Sequence, residues 1–236
     1  GEAPCVLLSG GSNATRFPAP ALGMPMRAAT NRMLLVLAIL STHEILNQNP
    51  SQPSKMAWDQ VVVLDNGSST AKVGLASDAA PRVVAPNCTA HVKGQLKLLV
   101  ADEVATIRNA SQLEFTRPFE RGHVCNWGCE LEVWRRLLTD AEGPLGLGAR
   151  DRALPPPGSS ALVVSEPPFA LPAAQATMDE VVFEELGFAA YHRRPAPCMS
   201  AVRYSQRHSR DATACCVLVV DAGASSTPVM PVCCGR

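Results

Sequence analysis

Two segments of this chain echo each other, and the echo restricts the possible folds more than any other feature. Residues 61–74 read VVVLDNGSSTAKVG and residues 216–228 read CVLVVDAGASSTP. Each has an apolar run, an Asp, a Gly two positions later and a Ser-Ser-Thr triplet. They match apart from one inserted residue, and Asp65 and Asp221 lie 156 positions apart. Asn66-Gly67 is a strong hairpin signal, because both central residues of such a turn tolerate positive φ. The run 61–64 does not alternate, which predicts a strand buried on both faces of a larger sheet. The consecutive N–H groups of Gly67, Ser68 and Ser69, beside hydroxyls, make an anion-binding concavity suited to phosphate. Asp65 at the strand end suits a hydrated Mg²⁺, and Lys72 suits neutralisation of phosphate charge. One such turn alone is most simply an ordinary Asn-Gly hairpin. Two in one chain can close on a nucleotide's phosphates from opposite sides. The candidate cofactor-binding set is Asp65, Gly67, Ser68, Ser69, Lys72, Asp221 and Gly223, with Asp65 and Asp221 holding Mg²⁺ through water.

Between the hairpins the pattern alternates strand and helix. Residues 81–87 read as an extended strand, and 98–104 as a strand running into polar residues. Asn126 is a good N-cap for a helix through Leu138. Trp127, Leu131, Trp134 and Leu138 recur at helical spacing and form one apolar face. Glu130 and Glu132 near its start and Arg135 and Arg136 near its end suit the helix dipole. Residues 141–160 hold four glycines and four prolines, a loop longer than compact domains usually carry. Residues 161–165 predict a buried strand. Residues 173–186 predict a helix closed by Gly187, with Met178, Val181, Val182 and Leu186 inward and its acids on a solvated face. A short strand at 188–191 and a helix around 199–206 lead into the second hairpin. Strands followed by alternating strand and helix give an α/β domain with a mixed sheet.

The 236 residues carry equal numbers of acidic and basic side chains, which gives no electrostatic clamp for nucleic acid. Nine cysteines form no CxxC pair, so a structural zinc site is not indicated and reduced thiols are the economical reading. Residues 1–55 differ from the rest. They carry four Lys/Arg against two Glu, and Pro18, Pro20, Pro25, Pro50 and Pro53 break them up. An apolar run of eight at 33–40 resembles a signal-peptide core but is too short to span a bilayer. Asn13, Asn66, Asn87 and Asn109 begin formal glycosylation sequons. Residues 1–55 read as a disordered or foreign extension, with Met56 as a natural start, and residues 56–236 as the folded domain.

LDNGSSTAKVGLASDAAPRVVAPN resembles the amino-terminal phosphate hairpin of the actin family. The likeness continues through LLVADEVATI, RPFERGHVCNWGCELEVWRRLL and VVSEPPFALPAAQATMDEVVFEELGF, and ends with VVDAGASSTPVMPV. It covers residues 58–232 in family order. Pro86-Asn87-Cys88, Ser165-Glu166-Pro167 and Phe183-Glu184-Glu185 are similar to a divergent branch rather than to conventional actin, as is the short stretch where actin carries its polymerisation loop. The resemblance implies the actin/hexokinase/heat-shock-70 ATPase fold. No segment resembles the family's second large domain or its adenosine-binding glycine motif, so the expectation is the first large domain only, the first half of a longer protein.

The resemblance also implies function. The divergent branch supplies non-enzymatic assembly subunits to SRCAP/SWR-type chromatin remodellers, which exchange a variant histone into nucleosomes. Expected partners are remodeller subunits and, through them, histones and the nucleosome, with no direct sequence-specific nucleic-acid contact and no membrane. The expected location is the nucleus, with some cytoplasmic protein. ATP and Mg²⁺ are expected to bind weakly or structurally. In actin-like ATPases the second hairpin carries an Asp after Asp-x-Gly and a His after the Thr, where this chain has Ala224 and Pro228. A Gln on the preceding helix is replaced by Cys198. These departures imply a pseudo-ATPase without catalytic residues. An actin-like ATPase or sugar-kinase-type phosphotransferase is the alternative, but it lacks an identifiable base and substrate loop. A cytoskeletal actin-like protein is a third reading, and the missing polymerisation loop argues against it.

Overall fold

The unbroken apolar run at 61–64 lies in an inner strand of a five-stranded mixed sheet, as its lack of alternation predicts. The structure is a computed structural model that describes residues 5–9, 16–17, 58–147, 154–207 and 216–233. In chain order the strands begin with β1 (Cys5–Ser9), β2 (Arg16–Phe17), β3 (Gln60–Asn66), β4 (Thr70–Leu75) and β5 (Val83–Pro86). A small sheet then uses β6 (Thr89–Val92), β7 (Leu98–Val100) and β8 (Leu113–Thr116), and a ribbon uses β9 (Phe119–Glu120) and β10 (His123–Val124). Next come β11 (Ser160–Glu166), β12 (Ala190–Pro195), β13 (Cys216–Asp221) and β14 (Val229–Cys233). The helices are α1 (Asp102–Ala105), α2 (Trp127–Trp134), α3 (Pro172–Glu180) and α4 (Ala196–Arg207).

The five-stranded sheet has the order β12-β11-β3-β4-β5. The β3–β4 and β4–β5 pairs are antiparallel, whereas β3–β11 and β11–β12 are parallel. Alternate residues of β3 serve different clusters. Val62 and Leu64 join the main core with Trp134, Leu137, Leu138, Leu162, Val164 and Val182. Val61 and Val63 pack on the opposite face with Ala161 and Val163. Fully burying each such aliphatic side chain stabilises the fold by roughly 1.5–3 kcal/mol.

Helices α2 and α3 supply most of the main core's non-sheet side chains, and both widen at their ends. Residues Arg135–Thr139 and Val181–Glu185 continue α2 and α3 as π-helical turns. Asn126 caps α2 as expected, its Oδ1 accepting from Cys129 N at 3.0 Å. Gly187, at φ +70°, follows the π turn of α3. Met178, Val181, Val182 and Leu186 are buried, as their spacing predicts. The segment read as a long loop after α2 is partly core. Leu145 and Leu147 are buried, and their N–H groups donate to Leu137 O at 3.3 Å and Leu138 O at 2.8 Å. Residues 148–153 of that loop lie outside the described residues.

The second hairpin, β13–β14, does not join the first sheet but founds its own, of order β14-β13-β1-β2. Helix α4 covers it, with Ala201 and Tyr204 packed on Val217, Val219 and Val232. The chain therefore carries a second sheet besides the five-stranded one. The partner of β13 comes from the segment read as disordered. Strand β1 runs parallel to β13, pairing Cys5 with Val217 through Ser9 with Asp221, and β2 pairs antiparallel with β1. The physical reason is that CVLLS is a continuous apolar, β-prone run and β13 has an edge beyond its hairpin partner that such a run can fill. The apolar run at 33–40 and Met56 lie outside the described residues. Among the described residues no helix is long and apolar enough to cross a membrane.

Candidate functional site

The Asp at the end of each hairpin strand faces one cavity of about 280 Å³. Its lining includes all seven residues singled out from the sequence: Asp65, Gly67, Ser68, Ser69, Lys72, Asp221 and Gly223. The two hairpins thus stand across one space, although they belong to different sheets.

The first hairpin is built from the ladder outward. Asp65 pairs with Lys72 in the β3–β4 register, and the Lys72 Nζ to Asp65 Oδ2 ion pair is 2.6 Å long. From the parallel side, the Ser165 hydroxyl donates to Asp65 Oδ1 at 3.1 Å. The same hydroxyl accepts from Asn66 N at 2.7 Å. Asp65 is 6% exposed, so this pairing offsets the cost of a nearly buried charge. The turn differs from the expected Asn-Gly type. Asn66 remains in β3, paired with Ala71, and neither Asn66 nor Gly67 has positive φ. The loop is residues 67–69, and Gly67 is required for space. A Cβ there would meet Thr70 O at 2.7 Å.

The second hairpin is tied to the β9–β10 ribbon. Gly122 N, in the turn of that ribbon, donates to Ser225 Oγ at 2.7 Å. Gly122 has φ +87°, and a Cβ there would stand 2.6 Å from Ser226 Oγ. Gly223 N reaches Asp221 O at 3.1 Å and Ser226 O at 3.0 Å, closing the turn on itself. Pro228 lies at the far end, its carbonyl accepting from Asp221 N at 3.0 Å.

Clustered backbone N–H groups, hydroxyls and Lys72 suit phosphate oxygens. A divalent cation here would be held through water by Asp65 and Asp221, since among the described residues no three His, Cys, Asp or Glu side chains converge as direct ligands. Ala224 and Pro228 do line the cavity, at the positions where the resemblance calls for an acid and an imidazole. Cys198 does not line it. Ala196 and Ser200, on the same helix, do. Burial pushes the Cys198 thiol up, which keeps it protonated and unreactive.

Sequence reasoning missed several residues of the site. Ser165, Glu166, Gly122, Ser225 and Ser226 all line the cavity. Glu166 is held back from it, accepting from Gln175 Nε2 at 3.1 Å and facing Arg193 Nε at 3.7 Å. The signal for Ser165 and Glu166 was the abrupt end of an apolar run in polar residues, as at Asp65 and Asp221. The largest omission is Glu130. The helix pattern accounted for it only as an acid that suits the helix dipole, yet it is 0% exposed. Burial pushes its carboxyl up to about 7, against the lowering effect of the neighbouring polar side chains of Asn66, Asn87 and Trp134. Two of the formal sequons fall in this region. Asn66 and Asn87 are buried at 6% and 0% exposure, where no glycan fits the folded protein.

A mixed sheet of this order, with two Asp-x-Gly hairpins across one cavity, fits an actin-like fold. Residues 57–236 match the family described as Actin, and the chain belongs to the actin family. Among curated proteins it is similar to actin-related protein 6 of Neurospora crassa, with 36% identity over 185 residues, 74% of this chain and 39% of that protein. It is 38% identical over 173 residues to actin-related protein 6 of Oryza sativa subsp. indica, 73% of this chain and 38% of the relative. The Drosophila melanogaster protein of that name is 30% identical over 181 residues, 75% of this chain and 42% of its own length. The chain spans about two fifths of the length of the curated relatives it matches.

Proposed function

We propose that this chain acts as a non-enzymatic, actin-related assembly subunit of an SRCAP/SWR-type chromatin remodeller, in the nucleus. Its partners are other remodeller subunits and, through them, the histones of the nucleosome. The observation that carries the reading is its likeness to proteins named actin-related protein 6 from fungi, plants and animals, over about three quarters of the chain. The cavity supports the non-enzymatic part. Its two hairpins suit phosphate, but Ala224 and Pro228 offer no group to orient or deprotonate water. ATP with Mg²⁺ is then a weak or structural ligand.

A second reading, an ATPase or phosphotransferase, draws on the three carboxylates Asp65, Glu166 and Asp221 around one cavity. It is disfavoured because Asp65 is engaged by Lys72 and Glu166 by Gln175 and Arg193. The test is affinity purification of the tagged chain from nuclear extract, probed for the remodeller's motor subunit and the variant histone. Co-recovery of both is expected. Recovery of filamentous actin partners without either would overturn the assignment.

A further inference from the structure

Beneath the first hairpin lies a polar network whose hydrogen-bond directions follow from one donor. The Trp134 indole can only donate, and its Nε1 reaches Asn66 Oδ1 at 3.2 Å. That orients the Asn66 amide, so its Nδ2 points to Glu130 and donates to Oε1. Asn87 must then present Nδ2, which donates to Asn66 Oδ1 at 3.2 Å and to Gly67 O at 3.0 Å. The chain of constraints leaves two buried acceptors without a donor, Asn87 Oδ1 and Glu130 Oε2. Buried polar atoms of this kind require an explanation, and with the Asn87 amide beside the Glu130 carboxyl a single proton on Glu130 can serve both.

We propose that Glu130 is a positioning residue of the first phosphate hairpin and works as a neutral acid, its Oε2–H donated to Asn87 Oδ1. Asn87 carries the effect to the loop through Gly67 O, and its own N–H reinforces it by donating to Ser69 O at 2.9 Å. A charged carboxylate would leave Asn87 Oδ1 unpaired beside a desolvated anion. The surroundings fit a neutral group. From β3 and β4, the Asp65–Lys72 pair is closed on itself. The nearby thiols are Cys129 on α2, which contacts Thr89 Oγ1 at 3.6 Å, and Cys88, which burial pushes up. Arg117 lies towards Cys88. The upward push on Glu130 comes first from burial. The inference is independent of which complex the chain joins.

The test compares the full chain with Glu130→Gln, which mimics the neutral acid in shape and keeps one donor and one acceptor. Glu130 holds its proton to about 7 in the folded state against an ordinary value of 4.5. The folded chain therefore keeps a proton that the unfolded chain releases across that window. Wild-type stability should fall relative to the variant as pH rises through it, by roughly 10²-fold in the folding constant, and stay flat above it. Above the window the variant should be the more stable protein. The indole ¹⁵N–H resonance of Trp134, assigned with Trp134→Phe, should titrate near pH 7 in the wild type and not in the variant. The protection of the Gly67 and Ser69 amides, taken relative to intrinsic exchange at each pH, should fall above that pH in the wild type only. If Glu130→Gln fails to fold, the proposal is overturned, because a faithful neutral mimic must be tolerated. An indole resonance without a titration near pH 7 in the wild type overturns it equally.

Discussion

Ser165 and Asp65 sit side by side across the parallel β11–β3 ladder, and one hydroxyl serves both the carboxylate and the next backbone N–H. The hydroxyl donates to Asp65 Oδ1 at 3.1 Å and accepts from Asn66 N at 2.7 Å. Ser165 is 4% exposed, so no water can replace it without rearrangement. Ser165→Ala should leave a buried donor and part of a buried carboxylate unpaired, costing about 1–3 kcal/mol. The urea midpoint should fall with the slope unchanged. A midpoint equal to wild type would mean that the hydroxyl does not hold the hairpin.

The glycines separate into those needed for space and those that are not. At Gly67 a Cβ would approach Thr70 O to 2.7 Å, and that oxygen is backbone. Gly67→Ala should therefore destabilise by about 1–3 kcal/mol. At Gly128, inside α2, the nearest atom to a Cβ is Asn126 Oδ1 at an ordinary 3.5 Å. Gly128→Ala should stabilise by up to about 1 kcal/mol through helix propensity. Thermal unfolding of the two variants should give shifts of opposite sign. Shifts of the same sign would contradict the contact geometry.

Strand β1 makes the amino-terminal segment a structural part of the second sheet. Removing residues 1–17 should expose the β13 edge while leaving the β3–β4–β11 ladders intact. Amide exchange should accelerate at 217–221 and stay unchanged at 61–65. Equal protection at 217–221 in the full and shortened chains would restore the reading of this segment as a dispensable extension.

Much of the site was legible because its signals are local. An apolar run ending in Asp-x-Gly-Ser-Ser marks a strand and its loop, and an Asn before a periodic run marks a cap. What was not legible depends on distant partners. Nothing near Glu130 in the sequence says that Asn66 and Asn87, 64 and 43 positions away, converge on it. An acid near the start of a helix has a sufficient local explanation in the helix dipole, and that explanation concealed its burial. The pairing of β1 with β13 joins residues more than two hundred positions apart, a distance over which apolar pattern identifies strands but not their neighbours. Gly67 was correctly expected at the turn for the wrong reason, since close approach and not positive φ demands it.

Nucleotide chemistry gives the last prediction. The cavity of about 280 Å³ falls just below the range for pockets that bury a drug-sized ligand. Its lining is dominated by the two hairpins and the end of β11, groups suited to phosphates rather than to a base and ribose. Mg-ATP should bind this chain more weakly than micromolar, the affinity that corresponds to about −8 kcal/mol. Hydrolysis needs a group that orients water, and Ala224 and Pro228 have none. Pro228 also lacks a backbone N–H for the loop. General-base assistance, which contributes about 10²–10⁴-fold, should therefore be missing. Phosphate release from Mg-ATP by the full chain should match that of Asp221→Ala, and calorimetric titration should show weak binding that Lys72→Met weakens further. Turnover that Asp221→Ala abolishes would identify another base in the cavity, with Glu166 the first residue to substitute.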